Sequence, residues 1–336
     1  MPLCGSQLIL CDLPIRFDTY VGCSHACKYC FVQAKKDIQN IKKGESSVTL
    51  MNFIKGNRNE DTNWCDWNIP LHWGGTSDPF QPLEATYKSS YKCLQVFAET
   101  KYPFVVSTKG KLIAEPAYLE LLRECNCVIQ ISLVSPQFDK IETGAPTFNE
   151  RIEMVKKLAT TGKRIIIRVQ PYVLEVKNDI LRQIEQYQDI GVYGITIEGI
   201  KYKRKYKNLI RICGDFCYPF ELLKSDFLQI KDKCHIHGLK FYSAENRLRS
   251  FGDSLCCCGI DGLTGFKPNT YNLNHFLFDK ENFIPTQSMQ QIGTSRVYSA
   301  INQNSLAVQV FRKNSMKVIM DICSKDKAMI NALLPK

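Results

Sequence analysis

CVIQISLV (127–134), FNERIEMVKKLATT (148–161) and RIIIRVQPYV (164–173) decide the architecture. The outer two segments are short, rich in β-branched residues and lack clean alternation, as expected of parallel strands covered on both faces. The segment between them reads as a helix, so the three form a β–α–β unit with a right-handed crossover.

The same rhythm extends both ways. Upstream, IPLHWGG (69–75) reads as a strand, 84–100 as a helix, FVVSTKG (104–110) as a strand and 116–125 as a helix. Downstream come a helix over 178–190, the strand GITIEGI (194–200), a helix around 220–235 and the strand LKFYSAEN (239–246). An α/β fold follows. The pattern does not separate a barrel from an open doubly wound sheet, but either places its chemistry at the carboxyl ends of the strands. Beyond Cys258 the rhythm gives way to an Asn-rich stretch and a mixed tail over 297–334, with a helix expected at 314–323.

The 336 residues, 44% hydrophobic and 23% charged, suit a soluble globular protein with one large domain or two smaller ones. No apolar run approaches the roughly 18 residues of a membrane span, so no membrane association is expected. The opening MPLCGSQLILCDLPIRFD lacks the pattern of an export signal, which makes a cytoplasmic location the expectation. Lys plus Arg exceed Asp plus Glu by 44 − 33 = 11. That excess suits solubility or attraction to a polyanion, and the total alone does not choose. Sixteen cysteines in a reducing compartment favour metal ligation or redox chemistry over bridges. Cys93, Cys125, Cys127 and Cys323 sit in apolar stretches, where a thiol packs as a small hydrophobe.

Gly22-Cys23-Ser24-His25-Ala26-Cys27-Lys28-Tyr29-Cys30-Phe31 carries the sharpest chemical signal. Its C-x3-C-x2-C spacing lets one tight loop aim three thiolates at a single inorganic centre, which suits an iron–sulfur cluster. Three ligands for four irons leave one iron open. Structural zinc is the main alternative, but it wants four protein ligands, and no partner pair is obvious.

Ending in Tyr-Cys-Phe, this run resembles the radical S-adenosylmethionine (SAM) superfamily. Three further stretches resemble its spore photoproduct lyase-like branch: Gly74-Gly75-Thr76-Ser77-Asp78-Pro79-Phe80-Gln81-Pro82-Leu83-Glu84, then Val105-Val106-Ser107-Thr108-Lys109, then Glu142-Thr143-Gly144-Ala145-Pro146 with Glu150-Arg151-Ile152. The resemblance covers about residues 15–200. It implies a partial (β/α)6 TIM-type barrel over 1–255, with the cluster loop before the first full repeat. A C-terminal extension over 256–336 would then cover the barrel or its substrate site.

The resemblance also implies a [4Fe–4S] cluster on Cys23, Cys27 and Cys30, whose open iron chelates SAM. Reductive cleavage would yield a 5′-deoxyadenosyl radical. Gly74 and Gly75 would admit the SAM amino group, and Ser77 in the same stretch is carried over as a SAM-binding position. Lys109 would pair with the SAM carboxylate and Ser132 with the ribose; a solvated lysine and a core hydroxyl are the plain alternatives. Tyr29 and Phe31 flank Cys30 and would shield the cluster or face substrate. An electron donor such as a flavodoxin or ferredoxin is implied as partner.

The sequence departs from the lyase itself. Gly75 stands where the lyase has its hydrogen-donating cysteine, and Phe31 replaces the second tyrosine of its Tyr-Cys-Tyr. Cys65 is the substitute donor near in sequence, and with Tyr29 it is the candidate catalytic residue. A second group, Cys213, Cys217, Cys234 and Cys256-Cys257-Cys258, suits an auxiliary cluster, zinc, a thiol relay or plain packing; three adjacent thiols cannot all aim at one metal. Lys201-Tyr202-Lys203-Arg204-Lys205-Tyr206-Lys207 follows a strand and so lies on the catalytic face, with Arg247 and Arg249 expected on the same rim. Cations interleaved with tyrosines suit DNA, RNA or a nucleotide, or form a solvated loop. Three functions follow: a radical enzyme on nucleic acid or nucleotide, the same chemistry on a peptide or small metabolite, or a non-catalytic metal-containing nucleic-acid-binding protein.

Overall fold

The structure, a computed structural model, describes residues 3–4, 11–32, 38–57, 69–202, 204–212, 215–270 and 272–279. Cys65, Lys203, Cys213, Cys323 and the expected helix at 314–323 lie outside them.

In chain order come β1 (Leu3–Cys4), β2 (Ile15–Phe17), β3 (Tyr20–Val21), β4 (Lys42–Lys43), α1 (Ser47–Ile54), β5 (Leu71–Trp73), α2 (Glu84–Tyr87) and α3 (Ser89–Thr100). Then follow β6 (Phe104–Thr108), α4 (Pro116–Glu124), β7 (Cys127–Ser132), α5 (Phe148–Ala159), β8 (Arg164–Tyr172), α6 (Lys177–Asp189) and β9 (Gly194–Gly199). The hairpin β10 (Ile210–Ile212) and β11 (Asp215–Cys217), α7 (Phe220–Ile236), β12 (Lys240–Ser243) and α8 (Leu273–Phe278) complete the described chain. The main sheet has the order β1-β2-β5-β6-β7-β8-β9-β12. Its pairs are parallel except β1 with β2, so seven strands run in one direction.

This is the expected α/β partial barrel, with one difference. The first parallel strand is β2, so the cysteine loop lies inside the first β–α repeat and not before it. Three residues, Ile15 to Phe17, are too few to show a strand pattern in sequence.

Alternate strand residues face opposite sides of the sheet. Phe17, Trp73, Phe104, Val106, Ile129, Ile131, Ile165, Ile167, Ile195 and Ile197 face the helices and form the main core. Its centre is aromatic: Phe97 stacks on Phe104 at 4.1 Å, and Trp73 lies 5.6 Å from both Phe80 and Phe97. The opposite side forms the barrel interior. At its foot, Val105, Val128, Ile166 and Tyr242 pack with Cys11, Leu13, Cys256, Cys258 and Ile260.

The predicted helix over 84–100 is broken in two. Lys88 takes a left-handed conformation (φ 49°), and the buried Glu84 carboxylate accepts the N–H groups of Ser90 (2.9 Å) and Tyr91 (2.8 Å) at the start of α3. Helix α5 begins with a reciprocal cap between Thr147 and Glu150.

The described part of the C-terminal extension packs at the foot of the barrel, at the strand ends opposite the cysteine loop. Arg164, which opens β8, donates to the Gly259 carbonyl at 3.0 Å, and Asn269 N–H donates to Asp12 O at 2.8 Å, ahead of β2. Asn272 caps α8 and donates to Asp12 at 2.9 Å, so the Asn-rich stretch is a set of buried caps.

Candidate active site

Loops after β2, β5, β6 and β7 converge at the carboxyl ends of the strands. The cysteine loop is fastened along its length. Cys23 N–H donates to Ile38 O (2.8 Å), Lys28 N–H to Ile141 O (2.9 Å) and Cys30 N–H to Cys27 O (3.0 Å). Ser24 N–H donates to Gln81 Oε1 at 3.0 Å. Gly144 N–H donates to His25 O at 3.1 Å, and a Cβ there would lie 2.2 Å from Ser24 O. Only glycine permits that approach.

Asp78 joins three of these loops. It accepts from Phe80 N–H (2.9 Å), Thr108 Oγ1 (2.6 Å) and Lys109 N–H (2.6 Å), and His25 Nε2 stands 3.1 Å away. Burial alone would raise the Asp78 carboxyl, but the His25 ring and these donors outweigh it and hold it at about 2.

Cys23, Cys27 and Cys30 form no disulfide among the described residues, Cys27 being buried and the other two half-buried. Cys23 and Cys27 lie within electrostatic reach of each other, as do Cys27 and Cys30. Burial pushes the Cys23 thiol up to about 12 and raises Cys27 as well, so a bound cation would have to hold them as thiolates. Among the described residues no three His, Cys, Asp or Glu side chains converge on one ion-sized point. The all-sulfur donor set of the loop fits an iron–sulfur cluster, which takes each thiolate at a different iron.

The carried-over positions fall around this loop with unequal freedom. Gly74 has φ +86°, and a Cβ would lie 2.3 Å from Ser107 O, so packing against β6 already requires glycine there. Gly75 faces the Arg16 side chain. Ser77 is buried and donates to Gly22 O, bracing the cysteine loop together with Gln81. Lys109 Nζ lies 3.8 Å from Glu142 Oε1 and 5.7 Å from the centre of the Tyr29 ring. Glu142 is itself buried, accepting from the Tyr29 hydroxyl and from Arg151. Tyr29 packs edge-on against Phe138 at 5.5 Å, and burial followed by the Glu142 charge lifts its phenol far above the ordinary range. Ser132 is buried at the end of β7, where its hydroxyl makes no hydrogen bond among the described residues. Phe31 is 56% exposed.

One sequence expectation is corrected. Arg247 and Arg249 are buried, not on an exposed rim: Arg247 donates to Glu245 (2.9 Å) and Tyr218 O (2.8 Å), and Arg249 to Asn246 (2.9 Å). The short helical turn over Asn246–Phe251 folds them inward. Of the second cysteine group, Cys234 lies in the main core and Cys256 and Cys258 at the barrel foot, where Cys11 joins them from far away in sequence. Cys93, Cys125 and Cys127 are packed core thiols as expected. The segment from Lys201 to Lys207 is exposed beyond β9 wherever it is described, with Tyr202 bridged to Phe216 and Lys201 bonded to Glu198.

No family model matches the chain. In structure it resembles spore photoproduct lyase complexed with dinucleoside spore photoproduct (TM-score 0.54, 17% identity, 69% of this chain and 77% of that one). It also resembles Streptococcus suis SuiB bound to S-adenosylmethionine (TM-score 0.51, 13% identity, 71% of this chain and 52% of that one). The fold here is the partial barrel of these two structures. In sequence, an uncharacterized protein of Mycobacterium tuberculosis is 25% identical over 205 residues, 56% of this chain and 59% of that protein. Another, from Acidianus two-tailed virus, is 27% identical over 198 residues, 51% of this chain and 62% of that protein. The chain thus spans less than two thirds of the curated relatives it matches. Among the described residues no helix is long and apolar enough to cross a membrane.

Proposed function

We propose that this is a radical SAM enzyme with a [4Fe–4S] cluster on Cys23, Cys27 and Cys30, acting on a nucleic acid or nucleotide. The observation that carries the reading is the cysteine loop itself, three cysteine side chains at the strand mouth braced by Asp78, Gln81 and Gly144. When bound, the cluster would supply the electron that cleaves SAM to a 5′-deoxyadenosyl radical.

The chain's own residues have definable parts. Asp78 fixes the cysteine loop to the ends of β5 and β6. Glu142 gathers Tyr29, Arg151 and Lys109, and so holds the Lys109 cation beside Cys27. Ser132 offers an unengaged hydroxyl on the neighbouring strand end, suited to a ribose. The exposed segment 201–207 on the same face supplies charge and rings for phosphates and bases. Reducing equivalents would come from a flavodoxin or ferredoxin. Gly75 keeps the reading short of the lyase, since no donor cysteine stands at that position.

The test is anaerobic reconstitution. Wild type should bind about four irons at the triplet and release 5′-deoxyadenosine with reductant and SAM. Cys27→Ala should lose both. Unchanged iron and activity in that variant would overturn the assignment.

A further inference from the structure

The barrel interior carries two guanidiniums, Arg16 and Arg168, that no carboxylate among the described residues pairs with directly. Arg16, His72, Ser107, Gln130, Arg168 and Thr196 face it, because their strand neighbours belong to the helix-side core. They form a connected wall. His72 Nε2 lies 3.0 Å from Ser107 Oγ, which donates to Gln130 Oε1 at 2.9 Å. Arg168 donates to the same Gln130 oxygen at 2.9 Å and to Gln170 Oε1 at 2.6 Å. Gln170 donates onward to Glu198, which Lys201 also engages.

The amide oxygens on this wall are therefore already taken, while donors are left over. Among the described residues Gln130 Nε2, Thr196 Oγ1 and Arg16 Nε are buried without a hydrogen-bond partner; Gln130 and Thr196 are themselves 0% and 1% exposed. Among the described residues neither Arg16 nor Arg168 ion-pairs with a carboxylate; the bonds of Arg168 go to amide oxygens. The hydrogen bonds of the neighbouring acids go elsewhere. Asp18 accepts from Thr76 and Ser77, and burial pushes its carboxyl up to about 6 although the charge of Arg16 acts against that shift. The Cys257 thiol is pulled down to about 5 by its Cys258 contact, by Arg249 and, with a smaller effect, by the charge of Arg168. His72 stays neutral, lowered to about 3 by burial and then by Arg168 and Arg16. Two guanidiniums with no carboxylate in direct contact, beside orphaned donors, are costly unless an anion joins them.

We propose that Arg16 and Arg168 clamp a phosphate or carboxylate on the molecule this enzyme acts on, seating that group in the barrel interior beside Gln130 and Thr196. The anion site stands on the interior donors; only its role as a substrate site rests on the radical SAM reading.

Calorimetric titration of the reconstituted protein with inorganic phosphate and with acetate tests it. At least one probe should bind saturably. Arg16→Gln and Arg168→Gln should each weaken it about tenfold or more, and Arg168→Lys markedly less. Circular dichroism and iron content check that the variants are folded. No saturable binding, or equal binding in both glutamine variants, would overturn the site. SAM and decarboxylated SAM form the second arm. If the glutamine variants weaken SAM but not its decarboxylated form, the anion is the cofactor's own carboxylate, and the substrate assignment fails. Phosphate or acetate binding that persists in a Cys23/Cys27/Cys30→Ala protein would support the anion site even if the radical reading fell.

Discussion

His25 and Asp78 meet across two loops, with Nε2 3.1 Å from Oδ2 while Nδ1 of the same ring lies 3.0 Å from Gly144 O. One imidazole thus ties the cysteine loop to the loops after β5 and β7. Asp78→Ala would orphan the Thr108, Lys109 and Phe80 donors at once, a loss of about 3 kcal/mol. His25→Ala leaves the carboxylate bonded but frees the loop. Both should weaken iron retention about tenfold, as loss of groups that orient metal ligands does, and Asp78→Ala should also lower the urea midpoint. Iron titration beside urea unfolding separates the two effects; wild-type iron affinity in both variants would show that the loop's backbone bonds suffice.

Asp18 makes stability fall with pH. Burial pushes its carboxyl from 3.8 to about 6, against the Thr76 and Ser77 donors and Arg16. The folded chain then holds this proton more tightly than the unfolded one. Its contribution is present below the unfolded value and lost as pH rises through the folded value. Two units correspond to about 3 kcal/mol lost across that window. Asp18→Asn should flatten the change in urea stability between about pH 4 and pH 6. A slope identical to wild type would show that Asp18 ionises no differently in the folded chain.

Glu84 is a buried carboxylate with four donors: the hydroxyls of Tyr20 and Tyr118 and the N–H groups of Ser90 and Tyr91. Glu84→Gln keeps the shape but turns one acceptor into a donor facing donors, and should cost about 3 kcal/mol. Because the bonds join β3, α3 and α4, the loss should appear in global unfolding. A change confined to exchange of the Ser90 and Tyr91 amides would instead mark the interaction as a local cap.

The interior strands were legible because β6, β7 and β8 are rich in β-branched residues without clean alternation, as strands covered on both faces are. β2 was not, since three residues carry no period. Nor was the break at Lys88, which depends on Glu84 reaching forward to α3. The cysteine loop announced itself by spacing, whereas Asp78, Gln81 and Glu142 act on it through contacts across more than fifty residues. Arg168 did leave a signal, a cation within the β-branched run of β8. Its place in the barrel interior, like the meeting of Cys11 with Cys256 and Cys258, exists only once the barrel closes. Arg247 and Arg249 show the converse error: a place after a strand does not say which way the chain turns.

The exposed segment after β9 makes nucleic-acid binding measurable apart from catalysis. Arg204, Lys205 and Lys207 are exposed, and the Tyr206 ring is 66% exposed among them. Cations that contact phosphates release counterions, so affinity for single-stranded DNA should fall steeply with salt. Replacing these three cations with Ala should lower the slope of log K against log salt by about 2. Tyr206→Ala should leave that slope unchanged and weaken binding by about 1–3 kcal/mol, the worth of one stacked base. The two variants therefore separate charge from stacking. Fluorescence anisotropy across a salt series reads both, and a slope unmoved by the triple replacement would return the segment to the role of a solvated loop.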